Sequence, residues 1–436
     1  MRLKRILYLR GYAAQELDKL LICLNKKYLF GVYAPSMRTL IVCSAVVMMT
    51  ALVMLRVVKP LRMGVGKSAL LTMLALAAFG LCPLLAVMDM SEACTVEVPA
   101  ALMIASVWAM LTALIYLLAV LVTSLGCGIL CFPVWVVRCL LKRPPLSDRW
   151  RRAHNVFNGV LLAVVSVVTA VGVYNAFSLP EVREVTIEME NYPADAAPLR
   201  VALLADIHAD CVKRAPFLRR IINRTNEQKP DAILIAGDFV DGRVSKRGKD
   251  VAELRHLSAP LGVYGVSGNH EYFSGNGEWQ RFLTQQGIRM LNNEHVSLGP
   301  VVLAGVPDIV TTRLHGEQQT DLAAALRGVP RRSPVVLLCH QPKFAAEAGW
   351  YGVDLVLSGH THGGLIRGLN ELFKLAAGDY IEGYYSGLYT APYATQVYVS
   401  RGTSLWSPGA IRLGVPSEIT LVTLKGKGVA DRRTAE

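Results

Sequence analysis

The sequence predicts an N-terminal α-helical transmembrane domain followed by an α/β domain whose strands form two packed sheets. Three observations predict it. Apolar runs of bilayer-spanning length recur between residues 39 and 177. The basic charge is concentrated in that same half. Beyond Phe177, short apolar strand patterns that each end in a polar residue are separated by amphipathic helical segments.

At 436 residues, 53% of them hydrophobic, the chain has a mean hydropathy of +0.36, too apolar for an ordinary soluble protein. The formal net charge of +13 is uneven: residues 1–180 hold 18 Lys+Arg against 6 Asp+Glu, and residues 181–436 hold 28 against 27. The excess therefore belongs to the membrane half, where it sets topology, and no nucleic-acid partner is expected. The partner implied is the lipid bilayer. Candidate spans lie at about 39–58, 68–88 and 156–177, with 98–137 forming one long span or two short ones turning near "SLGCG", 124–128. Four or five crossings make 1–180 a multi-pass domain of a cytoplasmic (inner) membrane. A cleaved signal peptide is not expected, because the first apolar run starts late.

Arg138 to Arg152 holds six Lys/Arg and one acid just before the last span, which places this loop in the cytoplasm and everything after Phe177 outside it. The eight Lys/Arg up to Arg38 disobey this orientation if there are four spans; Arg56, Lys59, Arg62 and Lys67 disobey it if there are five.

Residues 181–199 read as a linker with a first strand, "EVTIEME" at 184–190 alternating like a strand with one wet face. In 200–424, "LRVALLAD", "DAILIAGD", "GVYGVSGN", "PVVLLCHQ" and "VDLVLSGH" read as buried strands. The segment 215–228 carries Phe217, Leu218, Ile221 and Ile222 at helical spacing and stops before Pro230. Strands near 301–305, 396–400 and 417–424 imply a second sheet on the first, and 425–436 is a tail.

The polar strand ends belong together. They supply Asp206 and His208; Asp238 and Asp241; Asn269 and His270; His340; and His360 and His362, so that five of the nine histidines fall at these ends. Carboxylates, imidazoles and one amide oxygen suit Mn²⁺, Zn²⁺ or Fe, not a thiolate site. That many ligands argues for two ions; a pair ~3.5–4 Å apart needs a bridging carboxylate and can acidify a bridging water for hydrolysis.

In this order the five motifs resemble the calcineurin-like metallophosphoesterase superfamily over roughly 200–424, most closely its membrane-anchored bacterial branch. "VSRGTSLW" and "RLGVPSEITLVTL" are similar to that branch's C-terminal strands. The resemblance implies two mixed β-sheets packed face to face and flanked by helices. It also implies hydrolysis of a phosphomonoester, phosphodiester or pyrophosphate. It implies that Asp206, His208 and His362 hold one divalent ion, that Asn269, His340 and His360 hold the other, and that Asp238 bridges. His270 would protonate the leaving group or steady the phosphate, oriented by Asp241. Two positions depart from the pattern: Gly242 stands where many relatives have Arg, with Arg243 following, and Leu365 stands where the branch has Gln.

Membrane anchoring points to a phosphorylated lipid or envelope substrate. The alternatives are a non-catalytic metal-binding scaffold, or a cytoplasm-facing hydrolase of a nucleotide-linked lipid precursor. A transporter is disfavoured because the span interiors carry no charge. Gly237, Gly268 and Gly359 read as turn formers that also let backbone approach the ions. Asp210 and Glu271 read as solvated or as supports behind the ligands, and His154, His256, His295 and His315 have no role. Seven of the nine cysteines lie in or beside the membrane segments without metal or disulfide spacing.

Overall fold

The computed structural model describes residues 37–58, 64–90, 97–141, 148–314, 316–369 and 383–427. The basic N-terminus before Met37, Lys59, Arg62, loop 142–147, His315 and the tail from 428 lie outside the described residues. The chain divides into two compact units, Met1–Pro83 with Leu117–Pro145, and Leu84–Tyr116 with Leu146–Glu436.

Among the described residues, four helices precede the first strand. They are α1 (Met37–Val53, continued by a π-helical turn to Val58), α2 (Val65–Met90), α3 (Ala100–Leu140) and α4 (Asp148–Ala176). Among the described residues, three helical segments are long and apolar enough to cross a membrane, Val65–Met90, Ala100–Ile129 and Arg152–Ala176, whereas the apolar helix before them is shorter. The turn considered near 124–128 is not made. Gly126 and Gly128 sit inside the single helix α3, their cost of about 1 kcal/mol each outweighed by the long apolar run around them. Leu118, Val122 and Val167 are exposed, as lipid-facing side chains would be. Within the second unit, Thr112 and Thr169 share a buried hydroxyl hydrogen bond of 2.6 Å between α3 and α4, and the indole of Trp108 donates to the Ser166 carbonyl.

The α/β domain then runs β1 (Glu181–Met189), β2 (Leu199–Leu204), α5 (Ala215–Asn226), β3 (Ala232–Ala236), α6 (Val244–Val251), β4 (Val263–Val266), α7 (Asn269–Ser274) and α8 (Asn276–Gln285). It continues with β5 (Arg289–Met290), β6 (Glu294–Leu298), β7 (Val301–Gly305), α9 (Leu322–Ala325), β8 (Val335–Leu338), α10 (Ala345–Trp350), β9 (Leu355–Ser358), β10 (Gly387–Thr390), β11 (Gln396–Val399) and β12 (Glu418–Gly426).

Two six-stranded mixed sheets result, ordered β1-β12-β2-β3-β4-β5 and β10-β11-β9-β8-β7-β6. The second sheet expected from the later strands exists with a different membership. The strand at 418–426 belongs to the first sheet, antiparallel to β2, while β8 and β9 belong to the second. Alternation along each strand explains the layers. Val201 and Leu203 of β2 share a core with Leu355 and Leu357 of β9, between the sheets. Ala202 and Leu204 turn the other way onto Leu218, Ile221 and Ile222 of α5, which has the apolar face its spacing predicts. Strands β2, β3 and β4 are neighbours and parallel, and so are β8 and β9. Their C-terminal ends therefore deliver polar loops from two sheets to one edge.

Candidate metal centre

Each sequence-predicted site residue lies just past one of those strand ends; Asp206, His208, Asp238, Asp241, His340 and His362 are buried, and Asn269, His270 and His360 are half-buried. Asp206 and His208 follow β2, Asp238 and Asp241 follow β3, Asn269 and His270 open α7 after β4, His340 follows β8, and His360 and His362 follow β9. Five of these residues hold positive φ angles: Asp206 (55°), His208 (47°), Asp238 (54°), His360 (72°) and His362 (50°). Side chains other than glycine are seldom held so, and a cluster of them marks backbone bent to aim side chains at a common point. Glycine is required where that backbone crowds the carboxylates. A Cβ on Gly268 would stand 2.1 Å from Asp238 Oδ1, and one on Gly359 would stand 2.4 Å from Asp206 Oδ2.

Two sets of donors converge. His208 Nε2 lies 4.0 Å from Asp206 Oδ1, and His362 Nε2 lies 3.6 Å from the same oxygen. On the other side His340 Nε2 lies 3.2 Å from Asn269 Oδ1 and 3.2 Å from His360 Nδ1. Asp238 stands between them, its Oδ2 being 3.6 Å from His208 Nε2 and 3.1 Å from His340 Nε2.

The outer hydrogen bonds decide which nitrogen faces inward. His208 Nδ1 donates to Asp241 Oδ2 at 3.0 Å and His340 Nδ1 donates to the Ala236 carbonyl at 2.7 Å, leaving each Nε2 as the lone-pair nitrogen toward Asp238. His208 Nε2 is buried without a hydrogen-bond partner, as is His362 Nδ1. A buried, unpartnered imidazole nitrogen facing two carboxylates is what a divalent cation would satisfy, so the residues fit one.

Among the described residues, Asp206–His208–His362 and Asp238–His340–His360 are possible metal-holding groups, and so by distance is His208–Asp241–His270. The last has its acceptors already spoken for. Asp241 gives one oxygen to His208 Nδ1 and the other to His270 Nδ1, which is 2.5 Å away. Asp241 thus orients two imidazoles, where the sequence suggested one. His270 Nε2, on the far side of its ring, is 3.9 Å from Asp238 Oδ2. Burial works against its charge, but Asp238 and Asp241 raise its pKa to about 10. Burial likewise raises Asp238, yet His340 and His270 beside it hold its carboxyl well below the usual carboxylate range.

Two residues expected to be solvated or supporting turn out to be buried supports. Glu271 accepts the backbone N–H groups of Asp238, Phe239 and Gly268 at 3.0, 2.8 and 2.7 Å, fixing the bridging loop. Asp210 pairs with Lys213 Nζ at 2.6 Å and caps the Lys213 N–H. Asp308 was missed. It follows β7 as the other acids follow their strands, is buried, and accepts from Gln341 Nε2 beside His340, so "GVPD" carried a usable signal. His154, His256 and His295 bond elsewhere: to Asn158, to Arg255 and to the Ala325 carbonyl. Among the described residues, the cysteines at 82, 127, 131, 139, 211 and 339 take part in no disulfide.

Residues 199–364 match the family described as calcineurin-like phosphoesterase. A transmembrane protein with metallophosphoesterase domain from Danio rerio is 35% identical over 318 residues, 68% of this chain and 71% of that one. The chain belongs to the calcineurin-like phosphoesterase family. It is accordingly a metal-dependent phosphoester hydrolase with a membrane-associated N-terminal region. An uncharacterized metallophosphoesterase of Helicobacter pylori (strain J99) is 34% identical over 59% of this chain and 68% of its own. A similar transmembrane protein with metallophosphoesterase domain occurs in Bos taurus, at 34% identity over 60% of this chain and 61% of that one. Vertebrate and bacterial relatives together leave the narrower likeness to a bacterial branch unsupported. Among solved structures, a dimetal phosphatase from Danio rerio aligns over 48% of this chain and 88% of its own, at 15% identity and a TM-score of 0.31.

Proposed function

We propose that this protein is a multi-pass, inner-membrane phosphoesterase that hydrolyses a phosphomonoester, phosphodiester or pyrophosphate of a lipid or envelope substrate outside the cytoplasm. The observation that carries the proposal is the position of Asp238 Oδ2 between His208 Nε2 and His340 Nε2, one carboxylate shared by two donor sets. Asp206, His208 and His362 would hold one ion, Asn269, His340 and His360 the other, and Asp238 both. Two divalent ions, Mn²⁺, Zn²⁺ or Fe, supply Lewis-acid charge for the phosphoryl oxygens and acidify water.

The chain's own residues do the rest. Asp241 fixes the His208 and His270 rings, and His270 holds a proton at Nε2, the nitrogen turned away from Asp241, ready for a leaving oxygen. Phe273, exposed and 5.7 Å from the His270 ring, offers an apolar contact beside the proton donor. The partners in this reading are the bilayer and a phosphorylated substrate, not nucleic acid. Purified full-length protein with Mn²⁺, assayed on phospholipid, polyprenyl phosphate and nucleotide-sugar phosphate, should release phosphate or cleave a diester from the lipids. Activity confined to the soluble nucleotide sugar would reject the substrate class.

Orientation is tested separately. The six Lys/Arg of 138–152 motivate an extracytoplasmic domain. Protease added to intact spheroplasts should degrade residues 181–436 while a cytosolic control survives. Protection until lysis would reverse the orientation and move the substrate search to cytoplasmic lipid precursors.

A further inference from the structure

Arg412 is fully buried, yet its guanidinium makes no use of a carboxylate among its hydrogen bonds. Nη1 donates to the carbonyls of His362 and Val415, both at 3.2 Å, and Nη2 donates to those of Arg401 and Ser404 at 2.7 and 2.8 Å. A buried guanidinium whose hydrogen bonds all go to main-chain oxygens shapes backbone, while the carboxylates of Asp206 and Glu418 favour its charge from nearby. The backbone it shapes includes His362, which carries a φ of 50° and lies 3.6 Å through Nε2 from Asp206.

The other side of the same residue is tied to α4, the last candidate span. The Arg412 N–H donates to the Gly172 carbonyl at 2.8 Å, and Asn175 Nδ2 donates to the Arg412 carbonyl at 3.2 Å. Gly172 is buried there, and a Cβ on it would stand 2.6 Å from Ile411 Cγ1 and 3.2 Å from Leu413 Cγ. Helix, loop 411–413 and His362 thus form one hydrogen-bonded chain.

We propose that Arg412 is a positioning residue through which the last membrane helix holds the ligand His362, so that the span sets the affinity of one ion and not the other. This rests on the two-ion reading above, with His362 serving the Asp206–His208 ion. Residues that orient a ligand from behind change metal affinity by about 10–100-fold. Asn175 and Gly172 act from within the helix and touch no proposed ligand, so they separate this role from damage to the centre itself.

The experiment is Mn²⁺ titration of full-length, detergent-solubilised protein, following bound ion by elemental analysis and the spin-coupled pair by electron paramagnetic resonance. Wild type should bind two ions with a coupled spectrum; fewer than two would refute the two-ion reading itself. In Arg412→Lys, Asn175→Ala and Gly172→Leu, one ion should bind about 10–100-fold more weakly while the other is unchanged, and the coupled signal should give way to an isolated one at low Mn²⁺. Two ions of wild-type affinity in Asn175→Ala and Gly172→Leu would overturn the link to the helix. Equal weakening of both ions in these variants would overturn it too, since that is the mark of a general loss of structure.

Discussion

Replacing Asp238 by alanine is expected to remove both ions at once, a result no other single ligand should give. Its Oδ2 is the one oxygen close to both His208 Nε2 and His340 Nε2, while its Oδ1 accepts the His270 N–H at 2.9 Å. Removing it deletes a donor from each set and the anchor of the α7 entrance. Metal ions contribute several kcal/mol to stabilising charge in such reactions, so turnover should fall by about 10³–10⁴-fold or more. Elemental analysis of the full-length variant checks the first claim and a phosphate-release assay the second. Asp238→Asn, which keeps the size of the side chain and the Oδ1 acceptor, controls for loss of fold. If Asp238→Ala kept two ions, the shared carboxylate would be wrongly assigned.

His270→Ala should do the reverse, keeping both ions and losing rate. The His270 ring's Nδ1 bond to Asp241 turns Nε2 to the far side of the ring, 3.9 Å from Asp238 Oδ2, and against burial Asp238 and Asp241 raise its pKa to about 10. General acid catalysis is worth about 10²–10⁴-fold, and that is the expected fall with an alkyl leaving group. An aryl phosphate, whose leaving group departs without help, should suffer far less. Equal losses on the two substrates would exclude proton donation and leave His270 the task of steadying the phosphate.

The site was legible because its chemistry sits in short local motifs at strand ends, where a polar residue after an apolar run stands out. Its depth was not. Arg412, lone in "AIRLG", has nothing nearby in sequence to mark it, since its partners at His362, Arg401 and Gly172 are brought to it by the fold. Glu271 was visible but ambiguous, because an acid beside a histidine looks alike whether it faces water or four backbone amides. The strands were read well where both faces are apolar, as in β2 and β3. The pair Arg289–Met290 and the strand Gly387–Thr390 are too short or too polar to carry a period. Sheet membership was beyond reach for a different reason. β12 has the same apolar pattern whichever sheet accepts it, and its place is settled by a pairing with β1 more than 200 residues away in the chain.

That pairing governs when the domain can close. β1 leaves the last apolar helix, α4, after only a few residues and has a single neighbour in its sheet, β12, which also separates it from β2. During synthesis β1, β2 and every metal-bearing loop up to His362 emerge before the strand that joins the first two exists. Until residues 418–426 arrive, β1 and β2 each expose an unpaired edge with which another nascent chain could pair. Assembly of the catalytic domain is therefore obliged to be a late event, completed when the sheet is sealed from its far end, and a ribosome stalled before Glu418 would hold a chain with all its ligands and no finished sheet to carry them.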